Sequence, residues 1–301
     1  MPQARIVTPR SAGILDPRAW IDEADGLLAS ARVTRAAWRM KRSRFNLLLR
    51  SNRQRIPVTK WHELAGLPRA SMLLAGYAIE MYLKAGIARA YKGCPEALLV
   101  RDLKSLYGHK LFSTAVAIDF AAADERRDQL HTLEKAILVE ARYPVMPHND
   151  RAFHELTNER TRQMWSGESF LMACRLAREI RDHVTRIDSD KTNPSIVRSY
   201  QVDNDGFLTY RMGGHLRPRI TFRLSSTLRS HLEDGCHAND ALGETSPDAR
   251  MWCASELIRN VLADTQDCVL AQIWHDATVA YDDGKKTRIV RRDDGDSCET
   301  H

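Results

Sequence analysis

The hydrophobic rhythm of this chain changes once. Through most of the first two-thirds, apolar residues recur every three or four positions, the spacing of helices that bury one face. Trp20, Ile21, Ala24, Leu27, Leu28 and Ala31 predict a helix. It opens at Asp16-Pro17, where Asp caps and Pro suits the first turn, and runs to Ser43 or beyond. Residues 51–59, with Pro57, read as a connector. Pro68 then opens a helix carrying Leu73, Tyr77, Ile79, Met81, Leu83 and Ile87, apolar over most of its circumference and so central to a bundle. It fades at Lys92-Gly93, a glycine suited to a left-handed cap. Shorter helices follow over 95–107 and 110–121. An amphipathic one spans 124–142, with Leu130, Leu133, Ile137 and Leu138 inward, and Pro144 and Pro147 end it. A last helical stretch runs from Asn149-Asp150 to Ile187.

After Asn193-Pro194 the rhythm becomes alternation. Gly206–Met212 and Arg219–Leu224 read as strands around Gly213-Gly214. Asp248–Ala263 is helical, Cys268–Tyr281 and Thr287–Arg292 are strand-like, and Asp283-Gly284 between them is a hairpin signal. The expected fold is mostly α: a lead-in over 1–15, a helical bundle over 16–192, a small C-terminal α+β domain over 195–292 with order β-β-α-β-β, and an acidic tail over 293–301.

Composition narrows the class without naming an activity. The 301 residues are 43% hydrophobic and 28% charged, a soluble globular balance. No apolar run approaches the roughly 20 residues of a bilayer span, and Met1–Leu15 lacks the apolar core of a secretory signal. A cytoplasmic location, with no membrane association, is therefore expected. The six cysteines form no Cys-x-x-Cys pair, and His215, His231, His237 and His275 have no ligand-like spacing, so neither a metal nor a cofactor is expected. Phosphate-cradling glycine loops and a Gly-x-Ser-x-Gly elbow are also missing.

Charge is more informative. Asn193–His301 holds 13 basic against 17 acidic residues, so the preceding part holds 32 against 22. Arg32–Lys60 contains ten Lys or Arg, among them Arg35, Arg39, Lys41, Arg42 and Arg44, and no acid. So one-sided a field attracts polyanions, and Trp38 and Phe45 among the arginines are candidates to stack on bases. A nucleic acid is the expected partner, and a solvated helix face is the competing reading.

Three fragments carry a sharper signal: Ser71-Met-Leu-Leu-Ala-Gly-Tyr-Ala-Ile-Glu80-Met-Tyr-Leu-Lys84-Ala, then Gly108-His109-Lys110-Leu111, then Arg142-Tyr143-Pro144-Val-Met-Pro-His148. Together they resemble the HEPN superfamily of small helical domains, many of which are metal-independent ribonucleases. The resemblance covers Asp16 to Ile187. It implies an up-down bundle, a homodimer with a composite RNA groove, and a setting in toxin–antitoxin or antiphage defence with a cognate partner protein. Arg142 and His148 match the family's Arg-x(4–6)-His motif, and Glu80, Lys84 and His109 would line the groove beside them. The chemistry suits these types: a His near neutral pKa can take or deliver the proton, and an Arg can hold two phosphate oxygens. Tyr143-Pro144 directly after Arg142, and Lys110 in place of an acid, depart from the family pattern. Other readings stand beside these. Arg126-x4-His131 fits the same loose spacing, and its expected place is a solvated helix surface. Glu80–Lys84 has the spacing of a structural salt bridge, Arg142 could pair with Glu80 or Glu140, and His109 could simply fix its turn.

Overall fold

The computed structural model describes residues 5–51, 57–140, 150–230, 273 and 276–291. The chain is mostly helical and carries a five-stranded mixed sheet. It divides into two compact units.

The helical unit holds Ala12–Ile87 and His109–Thr185. It contains α1 (Pro17–Ser51), nearly all of α2 (Val58–Ala90), α4 (Leu111–Ala117), α5 (Arg127–Lys135), α6 (Asp150–Trp165) and α7 (Gly167–Arg186). From Ala75 to Ile87, α2 is buried around most of its circumference, as its all-round apolarity predicts. Close approach is built into it: a Cβ on Gly86 would stand 2.8 Å from Ile118 Cδ1. Asp25 on α1 ties α2 and α7 together, accepting from Tyr82 Oη at 2.5 Å and from Arg181 Nε at 2.7 Å. The Arg181 bonds hold the Asp25 carboxyl below the usual range against burial.

Two helix boundaries differ from the sequence pattern, and each has a side-chain cause. Pro68 does not open α2 but lies inside it. A proline ten residues into a helix withholds the N–H that would bond the carbonyl four residues earlier. That carbonyl, Leu64 O, instead accepts from Trp38 Nε1 at 3.1 Å. The stretch from 150 to 186 is two helices rather than one. Arg35 donates to the carbonyls of Met164 (2.7 Å), Trp165 (2.9 Å) and Ser166 (2.6 Å), ending α6, and Ser166 Oγ accepts from Ser169 N at 3.0 Å to start α7.

The other unit holds the described residues of Met1–Ser11, Ala88–Gly108 and Arg186–His301. Residues 88–108, including α3 (Glu96–Ser105), thus group with the strands although they fall within the 16–192 stretch assigned to the bundle by sequence. The strands are β1 (Ile196–Val202), β2 (Gly206–Met212), β3 (Arg219–Arg223), β4 (Thr278–Asp282) and β5 (Thr287–Arg291), in that spatial order. Only β3–β4 is parallel. β1 is additional to the expected β-β-α-β-β order, and the helix expected over 248–263 lies outside the described residues.

Alternation gives the sheet two different faces. Leu208, Tyr210, Ile220, Phe222, Val279 and Tyr281 build an apolar core. The opposite face is polar yet also covered: Ser199 Oγ and Thr209 Oγ1 donate to Gly93 O at 2.7 and 3.0 Å, and the Arg219 guanidinium lies 4.5 Å from the Tyr91 ring. Gly93 has φ +85°, and a Cβ there would stand 2.4 Å from Val197 Cγ1, so backbone conformation and space both require glycine.

Candidate functional site

Glu80, Lys84 and His109 come from two fragments of sequence and meet at one point of the helical unit. Glu80 and Lys84 are one turn apart on α2. Gly108 adopts φ +25°, and the chain turns there to deliver His109. Glu80 Oε1 accepts from Lys84 Nζ at 2.6 Å, and Glu80 Oε2 is 2.8 Å from His109 Nδ1. The three differ in access: the Glu80 side chain is 3% exposed, that of Lys84 15% and that of His109 37%. A buried carboxylate thus holds a cation and an imidazole whose outer surfaces reach water. The Lys84 ammonium also lies 5.6 Å from the centre of the Trp20 ring on α1. Hydrogen bonding by Nδ1 directs the other imidazole nitrogen, Nε2, away from the carboxylate.

Arg142 and His148 lie outside the described residues, as do Tyr143 and Pro144 between them. The backbone that leads to them is described. α5 continues into a single π turn, Ala136–Glu140, two residues before Arg142. Isolated π turns are frequent at functional sites. In the competing pair, Arg126 is bonded to Glu179 at 3.0 Å and His131 is 2.8 Å from Glu134 on its own helix.

The basic stretch of α1 separates into an inner and an outer set. Arg35 is turned inward, 1% exposed, and spends its donors on the end of α6. It is a structural clamp, not part of an RNA-facing surface. Burial, and then repulsion from Arg39 and Arg42, lowers its pKa to about 10, so it stays charged at neutral pH. Trp38 (2% exposed) and Phe45 (6%) are buried too, which removes them as stacking platforms. Trp38 packs edge-on to Trp165, and the Arg42 guanidinium lies 5.1 and 5.4 Å from the two rings. Arg39, Lys41, Arg42 and Arg44 are exposed, with Lys41 paired to Glu63 at 2.7 Å. The inward turn of Arg35 was foreshadowed only weakly in sequence: Ser166-Gly167-Glu168-Ser169 carries a cap signal that implies a helix end needing a donor nearby.

Among the described residues, no three His, Cys, Asp or Glu side chains stand close enough to share a metal ion, and no helix is long and apolar enough to cross a membrane. Fold and geometry therefore define a mostly helical protein with a small mixed sheet and a half-open Glu–Lys–His cluster. Comparison with protein-family models, with curated proteins and with solved structures returns no match.

Proposed function

We propose that this chain is a HEPN-type endoribonuclease that cuts single-stranded RNA without a metal and works as a homodimer. The observation that carries the reading is the convergence of Glu80, Lys84 and His109, two of the three sequence fragments on which the resemblance rests. The exposed cations of α1 supply a surface that would draw a polyanion inward. In the reaction, the RNA 2′-oxygen attacks the adjacent phosphorus and the bond to the 5′-oxygen breaks, leaving a 2′,3′-cyclic phosphate and a 5′-hydroxyl. His148 takes the 2′-proton or delivers one to the leaving oxygen, and Arg142 stabilises the charge gathered on the phosphoryl oxygens. A toxin or defence role, restrained by a partner protein, belongs to the same proposal.

A second reading, a HEPN module that binds RNA, a nucleotide or a protein without cutting, draws on one observation: Glu80 already occupies both Lys84 and His109, as a purely structural cluster would. Incubation with single-stranded RNA in EDTA separates the two. The nuclease reading expects cleavage that Arg142→Ala and His148→Ala each reduce by at least about a hundredfold, the scale of a lost acid–base or electrostatic group. Cleavage that survives both substitutions removes the site assignment. Binding without cleavage of any RNA leaves the second reading.

A further inference from the structure

The outer face of α7 carries two adjoining hollows, one of them bordered by the basic stretch of α1. One, of about 410 Å³, lies between α7 and the start of α5 and is lined by Arg126, Gln129, Leu171, Met172 and Arg175. The other, of about 300 Å³, lies between α7 and α1 and is lined by Arg32, Arg35, Arg39, Phe170 and Leu171. Leu171 belongs to both and forms the ridge between them.

Each hollow is lined by both apolar side chains and arginines. Leu171 and Met172 are 49% and 41% exposed, large apolar side chains left in water beside arginines. Arg126 is balanced by Glu179, and Glu168 also stands at the first hollow. Among the described residues, by contrast, Arg32, Arg39 and Arg175 form no ion pair with an acid, although Arg32 bonds Cys174 and feels the charge of Asp25. Beyond burial, repulsion from Arg39 and Arg42 lowers the pKa of Arg35, a sign of crowded positive charge at this end of the face. An anion seated here would relieve repulsion already present, and an apolar, planar group attached to it would cover Leu171 and Met172.

We propose that these two hollows form a track for single-stranded RNA. Phosphates lie on Arg32 and Arg39 at one end and on Arg175 at the other, with bases against Leu171 and Met172 between them. This deepens the ribonuclease reading and rests on its claim that the ligand is RNA. It moves the platform for bases from the buried Trp38 and Phe45 to α7. Guanidinium forks match carboxylate and phosphate alike, and a polynucleotide fits better than an acidic peptide because every base offers a flat face to an apolar shelf.

The test uses the full chain and a fluorescent 2′-O-methyl oligouridylate of about twelve nucleotides, which has no free 2′-hydroxyl and so is bound without being cut. Affinity is followed by anisotropy over a salt series for the wild type, Leu171→Asp and Arg175→Ala. Both altered positions are exposed, and circular dichroism melts confirm that the variants fold. Weakening of at least about fivefold in each variant, with the salt slope of Arg175→Ala falling by about 0.7, the contribution of one single-strand phosphate contact, supports the track. Wild-type affinity and slope in both variants overturn the α7 track while the cleavage assay on Arg142 and His148 still stands. Failure of the wild type to bind overturns both the track and the RNA reading. Displacement of the RNA by polyglutamate at equal charge concentration overturns the polynucleotide assignment in favour of an acidic protein partner.

Discussion

Two clusters, one in each unit, bury carboxylates among cations, and they satisfy those carboxylates to different degrees. In the strand-bearing unit, Asp102 on α3 and Asp282 on β4 are both 0% exposed. Arg101 bridges them, with Nη2 2.9 Å from Asp102 Oδ1 and Nη1 2.9 Å from Asp282 Oδ1. The remaining acceptor sites are filled as well. Asp102 Oδ2 accepts from Tyr91 Oη at 2.8 Å and from Thr287 Oγ1 at 2.7 Å, and Asp282 accepts from Arg223 Nε at 2.9 Å and from Gly284 N at 2.8 Å. Such a network fixes α3, β4 and β5 in register and leaves no open valence for a ligand. In the helical unit, Glu80 is nearly as buried but is held by two side chains, Lys84 and His109, where Asp102 is held by Arg101, Tyr91 and Thr287. Exposure of the cations does not separate the two clusters, since Arg101 (24%) and Arg223 (31%) reach water as Lys84 (15%) and His109 (37%) do. What separates them is how fully the buried carboxylate is already satisfied.

The largest expected effect breaks the Asp102–Asp282 cluster. Asp102→Ala strands the buried Tyr91 and Thr287 hydroxyls and removes one partner of Arg101, at a cost of about 3–5 kcal/mol in urea unfolding. A loss under about 1 kcal/mol would show that this cluster is hydrated and that the contrast with Glu80 is false. The effect of acid comes next. Asp188, in the same unit, is opposed by burial, yet Lys92 and Arg211 hold its carboxyl down to about 2. A depressed carboxyl contributes stability above its ordinary value of 3.8 and loses it as the pH falls through about 2. The stability gap between wild type and Asp188→Asn should therefore be full at pH 6 and close between roughly pH 4 and 2. A gap independent of pH would mean that the ion pairs do not set this titration. The smallest effect belongs to the half-open cluster. Glu80→Ala should cost about 1–2 kcal/mol, and His109→Ala less than about 1 kcal/mol, because water replaces much of what is lost. If Glu80→Ala costs as much as Asp102→Ala, the two clusters are of one kind and the Glu80 site is closed.

The main elements were legible in the sequence because their periodicity is strong. α1, the central part of α2 and the alternation of β2 and β3 all follow from apolar spacing. β1 was not, since Ile196–Val202 is largely exposed and only its pairing with β2 identifies it as a strand. The hydrophobic pattern also hid the division between α6 and α7, because both helices present apolar faces at compatible spacing across the break at Ser166. Of the site residues, Glu80 and Lys84 were legible as a pair on one face. That His109 closes on Glu80 from 29 positions away was not.

What the sequence determined by itself is the local grammar: helix here, strand there, glycine where φ must be positive, and an acid-free run of cations on α1. These depend on neighbours within about one or two turns, and so they are written in short windows. Only the tertiary structure decided what each cation is for. Arg35 and Arg39 stand one turn apart in the same basic run, yet one ends a helix 129 residues away and the other faces solvent. A guanidinium goes where unsatisfied carbonyls await it, and those carbonyls exist only once α6 has folded and stopped beside α1.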